Sequence, residues 1–419
     1  MTTSTRSRRE TKSVIVQKYG GSSVADAENI ATIARKICDR AETGVSMVIV
    51  VSAMGDSTDH LIELANAVSG DQTPAARELD TLLSTGELVA STLMAMAITA
   101  AGHPAVSLSG QQAGIRTDTT HGSARIADIK ADRLRRELGK GRVCVVAGFQ
   151  GLAENEDVTT LGRGGSDTTA VALSVALQAE RCEIYTDVDG IYTTDPRLVP
   201  AARKLAEISY DEMLEMASLG AKMNPRSIEL AAVYDVPILV ASAFEDVPGT
   251  LIYGGSQMME IRRAVTGVAI DRDVAKITVR AVEDRPGIVG QIFVPLAEAG
   301  VSVDVIVQNA SLEGLTDVTF TVSRGDFQRA LDLTKETCTD FAQDVVGNTG
   351  LAKMSIVGTG MQNGPGYAAT MFAALSKANV NIEMITTSEI RITCVIEAGS
   401  IKNAANALHS AFELDAAGD

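Results

Sequence analysis

The chain has 419 residues, of which 45% are hydrophobic and only 4% are aromatic. Its 53 acidic and 37 basic residues give a formal net charge of −16, which argues against a nucleic-acid-binding or anionic-membrane surface. The length exceeds what one core usually supports, so we expect two or three domains. Cores built mainly from Ala, Val, Leu, Ile and Met suit helices packed on parallel strands.

Cysteines and histidines are too scattered along the chain to indicate a disulfide framework or a set of metal ligands. We therefore expect a reducing, cytoplasmic environment and no metal site built by the protein. No apolar run reaches the roughly 18 residues of a membrane span. Residues 1–12 are polar and lack the apolar segment of a secretory signal.

The first predicted strand, Val14–Gln17, leads directly into Lys18, Gly20 and Gly21, and a helical pattern follows from Ala25. Glycines let backbone N–H groups approach an anion, a helix N-terminus adds partial positive charge, and a lysine adds a full one. The segment predicts a phosphate site, although it lacks the Walker A pattern. From these residues alone, an ordinary strand–turn–helix connection remains open.

Strand and helix patterns alternate from residue 14 to about residue 255. Short apolar strands between long helices predict an α/β fold, a mostly parallel sheet covered by helices on both faces. Ligands bind at the carboxyl ends of such strands. The predicted strands are Val14–Gln17, Met47–Ser52, Val143–Ala147, Glu183–Thr186 and Pro237–Val240, and helical patterns include Asp59–Ser69, Ala76–Ala101 and Thr168–Leu177.

Two further segments place hydroxyl and carboxylate groups together, Ser52–Asp59 and Ser84–Glu87. Helix capping alone would explain both. A third segment, Thr159–Ala170, sets Arg163 between glycines ahead of Ser166 and Asp167. A cap needs no arginine there, whereas an exposed guanidinium suits a carboxylate ligand.

The segment Cys182–Arg197 ends a predicted strand in a turn rich in Asp and Thr. Tyr192 has a ring that can stack on a nucleotide base, and Arg197 has a charge that can reach phosphates. An ordinary Asp-Gly turn is the alternative. The turn resembles the start of a calcium loop, but no bidentate Glu follows at the required distance, so we exclude calcium.

Residues 266–415 contain an internal repeat with an offset of 79 residues, seen in Pro286-Gly287-Ile288 and Pro365-Gly366-Tyr367. Each copy begins with an Ala-Lys strand and continues as helix, strand, strand and helix. The pattern predicts two ferredoxin-like βαββαβ units. The predicted domains are therefore 13–255, 266–345 and 350–415.

Together these segments resemble the aspartate kinases of the amino-acid kinase family, and the repeat resembles their paired regulatory ACT domains. The resemblance covers about residues 13–415. It implies that MgATP phosphorylates the side-chain carboxylate of L-aspartate, giving 4-phospho-L-aspartate and ADP. That reaction is the first step towards diaminopimelate, lysine, threonine and methionine. The motifs that carry the resemblance are Lys18–Val24, Ser52–Gly55, Gly148–Gly151, Leu161–Thr169 and Tyr185–Arg197.

The resemblance also implies roles for individual residues. Lys18 meets the transferring phosphate and Asp167 organises the site. The residues implied for aspartate binding are Ser52, Thr58, Glu87, Arg163 and Ser166. Those implied for ATP binding are Lys18, Gly20, Gly21, Ser22, Thr186, Asp187, Tyr192, Arg197 and Lys222. The chain departs from the family at Gly220–Arg226, the segment that contains Lys222, which is one residue shorter than usual.

The implied reaction fits these residue types. A substrate carboxylate with a pKa of about 3.9 is already ionised at neutral pH, so no general base is needed. The difficulty is to bring two anions together, which positioning and electrostatic stabilisation address. We expect Lys18, the Gly20 and Gly21 amides and Mg²⁺ to supply that stabilisation.

The paired ACT domains imply regulation by lysine, threonine or both. Pro-Gly as the start of a helix is the plainer interpretation of each turn. Assembly into a homo-oligomer, or with a separate ACT-only subunit, is also implied. The residues implied for effector binding are Asp284, Pro286, Gly287, Ile288, Asp304, Gln308, Asn363, Tyr367, Asn381, Ile382 and Glu383.

Two other functions remain open from the sequence. One is a different member of the kinase family, acting on glutamate, acetylglutamate, carbamate or UMP. The repeat and the Ser52–Gly55 motif weigh against it. The other is a non-catalytic amino-acid sensor, against which the presence of Lys18, Arg163 and Asp167 weighs.

Overall fold

The computed structural model describes residues 13–254, 264–309 and 314–416. These residues form two compact units, which we describe separately. The first holds 13–191, 204–217 and 222–254, and the second holds 192–203, 218–221, 264–309 and 314–416. Residues 192–203 and 218–221, which the sequence-based boundaries include in the first domain, thus belong to the second unit.

The first part of the chain, to residue 254, contains eight helices and twelve strands among its described residues. The helices are α1 (Ala27–Glu42), α2 (Ser57–Ser69), α3 (Ala76–Ala100), α4 (Gly110–Ala113), α5 (Asp132–Leu138), α6 (Gly165–Leu177), α7 (Tyr210–Ser218) and α8 (Pro225–Tyr234). The strands are β1 (Val14–Tyr19), β2 (Ser46–Val51), β3 (Ala105–Leu108), β4 (Ile115–Thr117), β5 (Ile126–Ile129), β6 (Val143–Ala147), β7 (Gln150–Leu152), β8 (Val158–Thr160), β9 (Arg181–Thr186), β10 (Glu207–Ser209), β11 (Ile238–Ser242) and β12 (Thr250–Tyr253).

Eight of these strands form one sheet in the order β10-β12-β11-β9-β1-β2-β6-β3. The six strands from β11 to β3 are parallel, and only the β11–β12 pair is antiparallel. One face packs under α1 and α3, where Ile15 and Ile49 meet Ile33 and Ile37 in a buried cluster. Helix α6 contacts β1, β2 and β9. The predicted α/β fold with a mostly parallel, covered sheet is confirmed.

A second sheet, in the order β5-β4-β7-β8, was not predicted. Its strands have three or four residues each, too few to show a period in the sequence. The same holds for β3, β10 and β12. Such short strands form because other segments of the chain supply their hydrogen-bond partners. The local pattern of apolar and polar residues does not reveal these partners.

Helix α3 is, among the described residues, the one helix long and apolar enough to cross a membrane by length and composition. The sequence analysis did not anticipate this. The helix packs against α1, β3, β6 and β8, and it carries the buried carboxyl groups of Asp80 and Glu87. Its buried apolar side chains, such as Leu83, Met94 and Ile98, serve the core of the first unit, whereas Val89 and Met96 are exposed.

The described residues from 264 onwards form one antiparallel sheet and four helices. The sheet order is β14-β15-β13-β16-β18-β17. In chain order the elements are β13 (Gly267–Glu283), α9 (Ile288–Glu298), β14 (Val303–Gln308), β15 (Leu315–Val322), α10 (Phe327–Cys338), β16 (Asp344–Val357), α11 (Tyr367–Lys377), β17 (Met384–Thr387), β18 (Arg391–Glu397) and α12 (Ile401–Ala411).

The two copies of the repeat share their central strands. The second half of β13, residues 276–280, pairs with 344–348 and completes the first copy. The first half of β13, residues 267–271, pairs with 353–357, which in turn pair with β18. The fourth strand of the second copy therefore precedes the first copy in the chain, and no strand is described after α12. The two copies form one continuous sheet.

Candidate active site

The carboxyl ends of β1, β2, β6 and β9 meet at one edge of the large sheet. The turn after β1 packs against the turn after β2, since the Gly55 N–H donates to the Gly21 carbonyl oxygen over 3.1 Å. A Cβ atom at Gly21 would lie 2.8 Å from the Ala53 carbonyl oxygen. A side chain at Gly21 would therefore separate the two turns, and the strand-end rule places the predicted motifs side by side as expected.

The most tightly enclosed ion pair at this edge joins Lys18 and Asp167. Lys18 Nζ lies 2.7 Å from Asp167 Oδ1, and the two side chains are only 12% and 11% exposed. Lys18 lies near the end of β1, and Asp167 lies in the first turn of α6. The lysine is thus held beside the glycine turn, where a Cβ at Gly20 would lie 3.6 Å from Lys18 Nζ.

The glycine turn differs from the prediction in one respect. The Gly20 N–H donates to the Tyr185 carbonyl oxygen at 3.3 Å, so this amide is used to join β1 to β9 and is not free for a phosphate. The expected contribution of the Gly20 amide is therefore wrong. Within the part of the chain that the structure describes, the N–H groups of Gly21 and Ser22 have no acceptor.

Glu87 is a buried carboxyl group beside the turn after β2. It is 4% exposed, and its Oε1 accepts the Ala53 N–H at 3.1 Å. Its Oε2 has no hydrogen-bond partner among the described residues. Burial raises the pKa of Glu87 to about 7, an effect that the Ala53 N–H partly offsets. An enclosed carboxyl with one unused oxygen is suited to an ammonium group.

Helix capping does not explain Ser84–Glu87, because this segment lies in the interior of α3 rather than at its end. Gly86 allows the close approach of α3 to the β2 turn, since a Cβ there would lie 2.9 Å from Ala53 Cβ. The other two residues predicted for this side, Ser52 and Thr58, are half-buried after β2 and at the start of α2.

Arg163 lies on an exposed loop between two glycines with left-handed backbone, Gly162 at φ 77° and Gly164 at φ 70°. Among the described residues its guanidinium has no hydrogen bond or ion pair. Gly164, not a polar side chain, occupies the N-cap position of α6. Ser166 and Asp167 are therefore in the first turn with no capping role, which favours the functional interpretation of that segment.

Ser166 lies against the end of β6. A Cβ at Gly148 would lie 2.7 Å from Ser166 Oγ, so a residue larger than glycine would displace this hydroxyl. The Gly148 N–H donates to the Val51 carbonyl oxygen at 3.0 Å. Ser166 is thereby placed at the same strand ends as Lys18 and Ser52.

On the β9 side, Lys222 and Asp187 are brought together despite the shortened segment. Lys222 Nζ donates to both carboxylate oxygens of Asp187 at 2.7 Å. Thr186 Oγ1 also donates to Asp187, at 2.9 Å. The pKa of Asp187 is lowered, mainly by the hydrogen bond from Lys222. Both charged side chains are about half exposed, so they are accessible to a ligand.

Two residues predicted for the nucleotide side, Tyr192 and Arg197, belong to the second unit. Arg197 is exposed and pairs with Asp195 at 2.8 Å. Within the same unit, Thr193 Oγ1 lies 2.9 Å from Nε2 of the buried His409, whose pKa is lowered mainly by burial. The segment that carries Tyr192 and Arg197 is thus fixed to α12.

Among the described residues, no group of three or more His, Cys, Asp or Glu side chains is placed to hold a metal ion.

In the second unit, two of the residues predicted for effector binding form crosswise ion pairs between the copies. Glu383, before β17, accepts from Lys276 of β13 at 2.7 Å. Asp304 of β14 pairs with Lys353 of β16. Lys276 belongs to the Ala-Lys strand of the first copy and its partner Glu383 to the second copy. Lys353 belongs to the Ala-Lys strand of the second copy and its partner Asp304 to the first copy. The Lys276 contact lowers the pKa of Glu383.

The remaining predicted effector residues occupy varied positions. Ile288 is buried in the core of the first copy and Ile382 is half-buried beside the core of the second. Tyr367 lines a cavity of about 200 Å³ at the start of α11. The exposed residues of this set are Asp284, Pro286, Gly287, Gln308 and Asn381. The side chain of Asn363 lies outside the described residues, as do Met258 and Met259, where an internal start would make a separate regulatory subunit.

The sequence analysis missed the two lysines of the crosswise pairs. Lys276 and Lys353 were recognised only as parts of strands. The repeat itself contains the signal, because an Ala-Lys pair and an acid recur in both copies with similar offsets. What the pattern does not reveal is that each lysine meets the acid of the other copy.

Comparison with known proteins agrees with these features. Residues 13–242 match the model of the amino acid kinase family, and residues 277–338 and 354–412 match models of the ACT domain. The chain is 49% identical over 405 residues to an aspartate kinase of Pseudomonas fluorescens, covering 96% of this chain and 98% of that one.

Solved structures give the same result. The crystal structure of E. coli aspartokinase III in complex with aspartate and ADP, in the R-state, is similar with a TM-score of 0.81 and 27% identity. The match covers 95% of this chain and 99% of that one. The same enzyme in complex with lysine and aspartate, in the T-state, is similar with a TM-score of 0.75 and 26% identity, covering 95% and 99% of the two chains.

Proposed function

Because the chain belongs to the amino acid kinase family, and within it to the aspartate kinases, we propose that it transfers the terminal phosphoryl group of ATP to the side-chain carboxylate of L-aspartate. The products are 4-phospho-L-aspartate and ADP. The observation that carries the proposal is the enclosed Lys18–Asp167 pair beside the glycine turn at the end of β1.

The reaction requires two anions to approach each other while negative charge spreads over the phosphoryl oxygens. Lys18 supplies a positive charge at that point, and its low exposure limits screening by water. Asp167 holds the ammonium group in position without capping α6. The N–H groups of Gly21 and Ser22 are donors for phosphate oxygens in the same turn. Mg²⁺, when bound with ATP, neutralises further phosphate charge.

The aspartate side of the site offers complementary charges for an amino acid. Arg163 presents a free guanidinium, which can bind a carboxylate with two parallel hydrogen bonds. Glu87 presents a buried carboxyl with one unused oxygen for the amino group. Ser52, Thr58 and Ser166 add hydroxyl groups at the same strand ends. The substrate carboxylate attacks in its ionised form, so the absence of histidine from these motifs is consistent with the mechanism.

Thr186, Asp187 and Lys222 form the nucleotide side, whereas Tyr192 and Arg197, which belong to the second unit, stay predictions from the resemblance. The reaction is the first step towards diaminopimelate, lysine, threonine and methionine, in the cytoplasm.

Lysine, threonine or both inhibit it through the ACT copies at 266–345 and 350–415. The E. coli enzyme that binds lysine in its T-state supports this regulation, and the protein acts as a homo-oligomer or with a separate ACT-only subunit.

The test is ADP release by the purified chain with MgATP and one candidate acceptor at a time. We expect release with L-aspartate, and expect hydroxylamine to trap the acyl phosphate as a hydroxamate. Glutamate, acetylglutamate, carbamate and UMP serve as competing acceptors. Faster release with any of these would replace the proposed substrate, and no release with any acceptor would contradict the proposal. Repeating the assay with lysine and threonine, singly and together, tests the regulation.

A further inference from the structure

Three polar residues at alternate positions, two between α7 and α8 and one in the first turn of α8, each contact a different part of the candidate site. Lys222 contacts Asp187 after β9. Asn224 contacts the Arg163 loop, and Arg226 contacts Leu161, just before that loop, and Ala124. All of these contacts lie within the first unit. Of these three residues, only Lys222 was predicted to belong to the site.

Asn224 uses both ends of its side-chain amide. Its Nδ2 donates to the Arg163 carbonyl oxygen at 2.6 Å. Its Oδ1 accepts the Arg226 N–H at 2.9 Å and so caps the N-terminus of α8. Only an amide offers a donor and an acceptor in this arrangement. The helix cap therefore fixes the orientation of the group that contacts the Arg163 loop.

The contact is close on the loop side as well. A Cβ at Gly164 would lie 2.3 Å from Asn224 Nδ2, so only glycine at that position lets the amide reach the backbone. Arg226 adds two further bonds, from one guanidinium nitrogen to the Leu161 carbonyl oxygen at 2.7 Å and from another to that of Ala124 at 2.9 Å. Together these bonds hold the loop at Arg163 and at Leu161, just before it.

The loop needs such a restraint. Arg163 stands between two glycines with positive φ, and glycines add backbone freedom that a bound ligand would have to remove. The guanidinium itself is bound to nothing among the described residues. Its position therefore depends on the backbone, and Asn224 holds the carbonyl group of Arg163 itself.

We propose that Asn224 is a positioning residue for substrate binding, which acts through the backbone of Arg163. It holds the guanidinium where a substrate carboxylate docks, and thereby sets the affinity for the amino-acid substrate rather than for ATP. This inference rests on the proposed function, in which Arg163 binds an aspartate carboxylate. Arg226 supports the same loop through Leu161 and Ala124.

Two substitutions separate the contact with Arg163 from the helix cap. Asn224→Ser keeps a capping oxygen but has no donor that reaches the Arg163 carbonyl, whereas Asn224→Ala loses both. We expect both variants to raise KM for aspartate about tenfold, with KM for ATP changed less than twofold. Only Asn224→Ala should lower the melting temperature. Wild-type KM for aspartate in Asn224→Ser would overturn the inference.

A double-mutant cycle tests whether Asn224 acts through Arg163. In an Arg163→Ala background, Asn224→Ser should change kcat/KM for aspartate less than twofold. An undiminished tenfold loss there would show that Asn224 acts by another route and would overturn the inference.

Hydrogen exchange separates the failure of this inference from the failure of the proposed function. We expect amides of residues 163–168 to exchange faster in Asn224→Ser than in the wild type, with or without substrate. Unchanged exchange would overturn the inference even if the enzyme is active on aspartate. If the wild type shows no activity with aspartate, the proposed function fails, and the exchange result still decides whether Asn224 orders the loop.

Discussion

Lys18 Nζ lies 2.7 Å from Asp167 Oδ1, and this contact joins the end of β1 to the first turn of α6. The pair is almost enclosed, so each charge is needed to compensate the other. A lysine held in this way keeps its position before ATP binds. In the proposed reaction it therefore requires little reorganisation when charge develops on the phosphoryl group.

Replacing Lys18 tests that role. Lys18→Ala should lower kcat at least about a hundredfold, as expected when a donor to developing negative charge is lost. The exposed Lys130 provides a matched control, and Lys130→Ala should leave kcat within about twofold. The measurement is steady-state ADP release at saturating aspartate and ATP. Near-normal turnover in Lys18→Ala would refute the assignment.

Glu87 should make the protein less stable as the pH rises. Its folded-state pKa of about 7 lies above the ordinary value of 4.5, so the folded protein binds more protons than the unfolded chain between these values. The contribution of Glu87 to the free energy of unfolding is complete below about pH 4.5, and this contribution is lost as the pH rises through about 7. Glu87→Gln should therefore be more stable than the wild type at pH 8, by on the order of 2 to 3 kcal/mol at most.

The same substitution should weaken substrate binding, because the amide provides no charge for the substrate amino group. We expect KM for aspartate to rise at least about tenfold, with a smaller effect on ATP. Thermal unfolding of both proteins at pH 5 and pH 8 gives the stability, and initial rates give KM. Equal stability at pH 8, or an unchanged KM, would contradict the respective part of this prediction.

One rule was enough to predict from the sequence that several candidate site residues lie at one edge of the large sheet. Lys18, Ser52 and Thr186 each lie at the carboxyl end of a strand, and parallel strands bring these ends together. The rule does not predict which of the groups at this edge form hydrogen bonds with each other. The Gly20 amide bonds Tyr185, and Glu87 reaches Ala53 from the interior of a helix. Such contacts depend on packing between distant segments.

In the second unit, too, the sequence predicted the elements but not how they pair. The repeat predicted the elements of two copies, but not that residues 267–271 complete the second copy by pairing with 353–357. β13 is one strand of 17 residues, and its register against β16 shifts between Asp271 and Lys276, where it passes from one copy to the other. The pairing is decided by the partner strand β16, which lies some 75 residues away in the sequence.

Lys222→Ala should weaken ATP binding. The substitution removes a half-exposed cation that lies 2.7 Å from Asp187, and leaves that carboxylate unpaired beside the incoming phosphates. We expect KM for ATP to rise about tenfold and KM for aspartate to change little. Lys140, a lysine of similar exposure that is paired with Glu137, is the control, and Lys140→Ala should leave both constants unchanged. An unaltered KM for ATP in Lys222→Ala would remove Lys222 from the nucleotide side.

The crosswise pairs of the second unit predict effects of opposite sign on inhibition. If the ammonium group of lysine or threonine binds Glu383, it competes with Lys276, which now occupies that carboxylate at 2.7 Å. Lys276→Met should therefore lower the effector concentration for half-maximal inhibition, and Glu383→Gln should raise it, each by severalfold. The exposed Lys402 supplies the control, since Lys402→Met should not shift the curve. The measurement is the rate at fixed aspartate and ATP over a titration of each effector. Shifts in the same direction for Lys276→Met and Glu383→Gln would show that the pair acts only as a structural tie between the copies, because losing either partner of such a tie has the same consequence.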